Sequence, residues 1–330
     1  MNLKQTTYLR ILSVSSAIIA LVLVVQLFVF SSPYAYSKSE RKAIELGSRT
    51  LIPSISMPSK LSFADEEVPL NNQIVKESLD RELLVNAYWQ SQTLLFIKRA
   101  DRYFSIIEPI LKEQGVPDDF KYLAVIESSL IPRAVSGSGA VGLWQFMEKT
   151  GKEYGLEINK EIDERYNIEK STIAACKYLK NSKAKLGSWT LAAASYNAGA
   201  GGIDTQLDRQ KSDSYYNLYL NEETSRYVYR ILAAKTILTY PEKFGFLVDA
   251  SEKYPIWQTK DIEINSGVCD LAQFSIANGV SYKELKELNP WLRDNQLTNL
   301  SGKKYTIKIL TNRDAIKSNS SDYTQDEAKK

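Results

Sequence analysis

Residues 117–146 read PDDFKYLAVIESSLIPRAVSGSGAVGLWQF, and the fold turns on how this stretch is interpreted. Pro117 suits the first turn of a helix, where its missing N–H would have no partner in any case. Asp118 and Asp119 follow at the positive end of the helix dipole. Phe120, Leu123, Ala124 and Glu127 recur at i, i+3, i+4 and i+7, so one helix face is apolar except for a single carboxylate. A carboxylate turned towards an apolar interior is desolvated and its pKa rises, as a general acid near neutral pH requires. The alternative is a glutamate at a frayed helix end, since Ser128 and Ser129 signal termination. Spacing alone leaves both readings open. Ser136-Gly137-Ser138-Gly139 then marks a flexible turn, whose glycines let backbone approach a ligand closely. It leads into a helix expected over 143–152. Gln145 can both donate and accept, as recognition of a sugar amide requires; Trp144 fits a core position equally well.

The composition narrows the chemistry. The chain has 330 residues, 44% of them apolar, enough for one full core and a small second domain. The net charge of +3 gives no indication of nucleic acid. Histidine is absent, which removes Ser-His-Asp and Cys-His nucleophile systems and every His-ligated metal site. Acid–base work falls to Asp, Glu, Lys, Tyr or Cys. Two cysteines without histidine make no zinc site, and no cofactor is implied. Cys176 shares a helix face with Ala175 and Leu179, while Cys269 lies in the second domain, so no disulfide is expected between them. The 20 tyrosines and 5 tryptophans suit sugar stacking, though cores and interfaces use them too.

Working outward, residues 11–30 (ILSVSSAIIALVLVVQLFVF) are uncharged and long enough to cross a bilayer as a helix. We read 1–32 as a membrane anchor, with cleavage after Ser37 as the alternative. Residues 33–82 hold Pro33, Pro53, Pro58 and Pro69 and many serines, and read as a tether. Helical periodicity is sustained from Leu83 to a stop near Gly245, giving a domain over 83–247. Within it, Asp163-Glu164-Arg165 reads as a structural ion pair. Ser171 is read as the cap of a helix through Leu179. Ser188 caps an alanine-rich helix that ends on Tyr196-Asn197 before Gly199, Gly201 and Gly202. Those two side chains, at a helix terminus, can face a cleft. Glu223-Thr224-Ser225-Arg226-Tyr227-Val228 opens a last helix to Leu238; Tyr227 fits a cleft or a core position. Over 248–312 the pattern is strand, two short helices and strand, and 313–330 is polar and read as disordered.

Four motifs stand in order: Glu127-Ser128, Gly142-Leu143-Trp144-Gln145, Tyr196-Asn197-Ala198-Gly199, and Glu223-Thr224 with Tyr227. Together with connecting phrases such as STIAACKYLK, they resemble the soluble-lytic-transglycosylase-like (lysozyme-like) family, and within it the membrane-bound lytic transglycosylase D type. IANGVSYKELKELNPWL resembles a LysM module of βααβ type, with a degenerate opening at Gly267-Val268-Cys269-Asp270-Leu271. The resemblance implies a mainly α fold: a lysozyme-like helical domain, a LysM-like domain and an N-terminal transmembrane helix. It implies cleavage of the β-1,4 bond between N-acetylmuramic acid and N-acetylglucosamine in peptidoglycan. Glu127 would be the catalytic acid/base. Ser128, Gln145, Tyr196, Asn197 and Tyr227 would bind substrate. The partners would be peptidoglycan glycan strands and the membrane, with cell-wall or division-machinery proteins as further candidates. The catalytic domain would lie outside the cytoplasmic membrane.

Most glycosidases use two carboxylates about 5–10 Å apart, and these motifs supply one. A single acid suffices if the sugar's own C6 hydroxyl attacks C1, giving a 1,6-anhydro end. The rivals are a hydrolytic muramidase of the same fold, with Glu148, Glu153 or Asp163 activating water, and an inactive peptidoglycan-binding scaffold.

Overall fold

The computed structural model describes residues 55–311. The expected anchor over 11–30 and the tail over 313–330 lie outside them. Among the described residues no helix is long and apolar enough to cross a membrane.

A two-residue hairpin, β1 (Ser62–Phe63) and β2 (Glu66–Glu67), precedes α1 (Gln73–Tyr88) and α2 (Gln90–Glu113). A 3-10 turn (Asp118–Phe120) leads into α3 (Lys121–Ser128), followed by α4 (Glu148–Glu153), α5 (Ile168–Leu186), α6 (Trp189–Ala198), α7 (Ala200–Gln210) and α8 (Glu222–Thr239). Helix α8 is the central post. Asn221 caps it by accepting Thr224 N–H, and Glu222 and Glu223 occupy its first turn at the positive dipole end. Tyr227, Val228, Ile231, Leu232 and Ile237 are buried along it, against α1, α3 and α6.

The helical core begins earlier than the periodicity indicates. Residues 33–82 are not all tether: Phe63, Val68, Val75 and Leu79 are fully or almost fully buried in the main core. Phe63 packs edge-on against Phe120 at 5.0 Å. The Glu66 carboxylate caps α6, accepting Trp189 N–H (2.6 Å), Thr190 N–H (2.8 Å) and the Thr190 hydroxyl. Asp119 accepts Ala64 N–H and pairs with Lys235, each at 2.7 Å, tying the hairpin to α8. None of these partners is near in sequence, so local pattern does not reveal them.

Other helix limits also shift. Asn167, not Ser171, caps α5; Ser171 is buried one turn in and donates back to Asn167 O. The alanine-rich helix ends at Gly199 (φ 75), as its glycine indicates, but Gly201 and Gly202 open α7 rather than extend the stop. The helix expected over 143–152 begins only at Glu148. Residues 141–146 instead form a tight turn closed by a Val141–Phe146 bridge. Gly142 (φ 81) explains the difference. A Cβ there would stand 2.1 Å from the Arg165 carbonyl oxygen, so the turn lies flat on a distant strand of backbone.

The C-terminal part is a βααβ unit: β3 (Thr259–Ile264), α9 (Leu271–Ala277), α10 (Tyr282–Leu288) and β4 (Tyr305–Leu310). The strands pair antiparallel from Thr259↔Leu310 to Ile264↔Tyr305. Asp270, in the degenerate opening, caps α9, and Ser281 with Glu284 forms a capping box on α10. Its core holds Leu271, Leu285, Trp291, Leu292, Ile307 and Ile309. It also takes in Val141, Ile162 and Tyr166 from the helical part. The boundary drawn at 247 separates the chain but not the packing. The asparagine-rich α10–β4 connection owes its order to Asn289, fully buried and bonded to Leu285 O, Lys308 O and Lys308 N.

Candidate active site

Helix α3 places Glu127 in its last turn. Phe120, Leu123 and Ala124 on the same face are fully buried, so the helix cannot rotate to expose the acid. Ser129 adopts a left-handed conformation (φ 57) and stops the helix one residue after Ser128. The Glu127 side chain is half-buried and faces α8, where the Tyr227 hydroxyl, itself buried, donates to Oε1. Burial pushes the Glu127 carboxyl up to about 6; the Tyr227 hydrogen bond and the Arg230 charge work against that rise, and Glu223 adds to it. The end-of-helix position and the apolar surroundings expected for Glu127 are thus found together. Tyr227 has a pKa well above the ordinary phenol value, from burial and from the adjacent carboxylate, so it remains a donor throughout the useful pH range.

The other motif residues make different contacts. Tyr196, at the end of α6, donates through its hydroxyl to Trp144 O (2.8 Å) and packs against Phe146 and Tyr178. Glu127 raises its pKa, after burial, which places the two groups within electrostatic reach. Asn197 joins α6 to α8: its Nδ2 donates to Glu223 (2.9 Å) and its Oδ1 accepts from the Thr224 hydroxyl (2.8 Å). Gln145 (φ 48) spends its amide NH2 on the turn itself, on Gly142 O (2.8 Å) and Ala134 O (3.3 Å). Ser128 is buried and bonds its own helix at Ala124 O (2.9 Å), so its hydroxyl does not touch Glu127. Trp144 is fully buried with its indole N–H on Thr172 (2.9 Å): a core residue, as its bland reading has it.

Two side chains to which the motifs assign no role act on Glu127 through their charge. Glu223 is exposed and sits beside Asn197; Arg230 is one turn along α8 from Tyr227 and donates to Ile126 O (3.2 Å). The i, i+3 spacing of Tyr227 and Arg230 was the available signal. Ile126 and Ser129, flanking Glu127, line a cleft of about 460 Å³ with Val85, Trp89, Glu223 and Arg230. Trp89, at the break between α1 and α2, is 57% exposed there. The carboxylates considered for a second catalytic role are engaged elsewhere: Glu148 with Lys152, Glu153 with Lys149 and Asp163 with Arg165. The Asp163–Arg165 and Glu164–Lys170 pairs are structural, as their clustering in sequence indicates.

Residues 104–219 match the transglycosylase SLT domain, and residues 260–313 the soluble lytic transglycosylase C-terminal LysM-like domain. The chain carries a transglycosylase SLT domain followed by a LysM-like domain. Membrane-bound lytic murein transglycosylase D of Escherichia coli strain K12 is 30% identical over 245 residues, covering 73% of this chain and 52% of that protein. Membrane-bound lytic murein transglycosylase C of Haemophilus ducreyi is 23% identical over 190 residues, half of each chain. The crystal structure of the 70 kDa soluble lytic transglycosylase of Escherichia coli superposes with a TM-score of 0.36 at 22% identity, over 46% of this chain and 26% of that one. The chain spans about half the length of the curated relatives it matches. The matched SLT segment ends at residue 219, so Tyr227 and the rest of α8 complete the SLT core from outside it.

Proposed function

We propose that this protein is a peptidoglycan lytic transglycosylase that uses Glu127 as its single acid/base. One observation carries the reading: a half-buried carboxyl with a pKa near 6, held at the end of α3 by a buried tyrosine hydroxyl. Tyr227 occupies Oε1, which leaves Oε2 to meet substrate. In the first step Glu127 O–H protonates the glycosidic oxygen and the C1–O bond breaks, leaving an oxocarbenium-like muramyl residue. Glu127, now ionised and steadied by Tyr227 and Arg230, removes the proton from that sugar's C6 hydroxyl. The hydroxyl oxygen bonds to C1, closing a 1,6-anhydro ring. The acid is regenerated and no water is consumed. A well-oriented internal nucleophile outcompetes water because its approach is already built into the bound sugar. Tyr196 and Asn197 hold the turn and the first turn of α8 around the bond to be broken, and Gln145 and Ser128 keep the two backbones in shape.

A hydrolytic reading has one observation in its favour: Glu223, the carboxylate whose charge reaches Glu127, could activate a water. Product analysis separates the two. Incubating the protein with purified peptidoglycan is expected to release fragments one water lighter than reducing-end sugars, and Glu127→Gln is expected to release none. Reducing ends would establish a hydrolase, and loss of those ends in Glu223→Gln would make Glu223 its second carboxylate. Equal release by the variant would remove Glu127 from the chemistry.

The uncharged segment 11–30 and the membrane-bound relatives support an anchor in the cytoplasmic membrane, with the SLT domain on the peptidoglycan side. Retention in the membrane pellet after alkaline extraction is the expected result; release would point to a cleaved leader. Glycan strands are the proposed ligand of both the cleft and the LysM-like domain.

A further inference from the structure

The link between the LysM-like domain and the 139–146 turn is built for rigidity. Residues 157–163 form a small hairpin closed by an Ile158–Asp163 bridge, with Asn159 Oδ1 accepting the Glu161 and Ile162 N–H groups (2.9 Å each). The C-terminal domain joins this hairpin through a β-bridge and its flanking backbone bonds. Ile162 bridges Leu292, Asp163 N–H donates to Trp291 O (2.9 Å) and Arg293 N–H donates to Glu161 O (2.7 Å). Ile162 is buried inside the C-terminal core. The Glu161 carboxylate receives Thr298 N–H (2.7 Å) and the Thr298 hydroxyl. Glu157 receives the Tyr305 hydroxyl and pairs with Lys303.

The same hairpin ends in the grip on the turn. The Asp163 carboxylate binds the Arg165 guanidinium through two bonds, 2.9 and 2.7 Å. Arg165 Nη1 donates in turn to Phe146 O (3.2 Å) and Gly139 O (3.3 Å), the two carbonyls that bracket the turn. Between them, Val141 is buried in the C-terminal core and Gly142 lies against the Arg165 carbonyl. On its other side the turn offers Trp144 O to Tyr196. One side-chain and backbone path thus runs from Trp291, Leu292 and Arg293 to Tyr196.

We propose that the LysM-like domain is a positioning element of the cleavage site. By docking on residues 157–163 it fixes the Asp163–Arg165 pair, and through it the 139–146 turn, whose Trp144 carbonyl holds the hydroxyl of Tyr196, the neighbour of Glu127 in the proposed cleft. Asp163 and Arg165 are positioning residues; neither touches Glu127. This inference rests on the reading of that cleft as the cleavage site.

The test uses the full chain with the dock loosened far from Glu127: Glu161→Ala with Thr298→Val, and separately Glu161→Gln, which keeps one acceptor oxygen. Turnover on purified peptidoglycan, retention on sacculi and amide exchange by peptide are measured at a temperature where all variants are folded. The expected result for the double variant is a kcat lower by roughly tenfold, since displacements well below an ångström in a positioned site are felt at that scale. Retention should change less than about twofold, and exchange should rise in peptides covering 139–146 while α5 and α8 stay protected. Glu161→Gln should fall between the double variant and the parent. Unchanged kcat, or a loss of retention with kcat intact, overturns the proposal and leaves the domain as a binding module. Exchange rising equally in α8 overturns it too, as general destabilisation. If instead Glu127→Gln retains activity, the reading of the cleft fails, and that outcome is independent of the dock variants.

Discussion

Two glutamates meet helix α8 at successive residues, Arg226 and Tyr227, and so have different partners. Glu82, on α1, is 1% exposed and bound by the Arg226 guanidinium at 2.6 and 3.2 Å. Glu127, on α3, is half-buried and has a phenol, with Arg230 acting only at a distance. A fully charged, two-pronged partner makes Glu82 an ion pair that locks α1 to α8. A neutral donor leaves the desolvation of Glu127 largely uncompensated, so its proton is retained to higher pH, as the proposed general acid requires. Under the proposed function, the partner of each carboxyl is what separates a structural glutamate from a chemical one.

The sharpest way to break this comparison is Glu127→Gln. Activity on peptidoglycan is expected to fall by about 10²–10⁴-fold, the range for a positioned general acid, with the melting transition intact. Release of fragments at the parent rate would place the acid elsewhere. Arg226→Met should do the reverse: activity per folded molecule within a few-fold of the parent, and stability lower by about 2–3 kcal/mol, because Glu82 is left buried without its partner. That figure is reduced from the usual range because the Arg226 side chain is 30% exposed. Adding Glu82→Met to Arg226→Met should restore most of the loss in denaturant titrations; no recovery would mean Arg226 acts through some other contact.

The third expectation follows from the raised pKa of Glu127. Its carboxyl moves from 4.5 to about 6, so between those values the folded protein holds a proton that the unfolded chain has released. Stability conferred at this site is therefore lost as pH rises through that window. Above it the ionised, desolvated carboxylate destabilises the fold by about 2 kcal/mol at most. Glu127→Gln should accordingly raise the melting temperature at pH 8 and leave it unchanged at pH 4.5. A stabilisation independent of pH would show that packing, not charge, is responsible. The smallest effect is Tyr227→Phe. The Tyr227 bond lowers the Glu127 pKa, so its removal should shift the limb of the pH–rate profile set by Glu127 upward. A limb that stays in place would dissociate Tyr227 from the acid.

The apolar face carrying Glu127, the glycine stop after Asn197 and the βααβ pattern at the C-terminus were legible because each is set by local spacing or by a capping side chain. The opening hairpin was not. Its prolines and serines resemble a linker, and only the distant contacts of Phe63 with Phe120 and of Glu66 with the start of α6 reveal it as core. The 141–146 turn was misread as helix because Leu-Trp-Gln-Phe has helical propensity. The constraint that overrides it, the Arg165 carbonyl against Gly142, comes from backbone more than twenty residues later. The motif reading does not show that the Gln145 NH2 group and the Ser128 hydroxyl each donate to nearby backbone carbonyls.

By itself, then, the sequence determined the helical class, the acid at the end of α3 and the order of the two domains, because periodicity, caps and motif spacing are local properties of the chain. The tertiary structure decided what that acid is paired with, where the core begins, and that the two domains share one core across Ile162 and Val141. Those outcomes depend on which distant groups desolvate and bond one another, and such a pairing is specified only when the whole chain has closed around it.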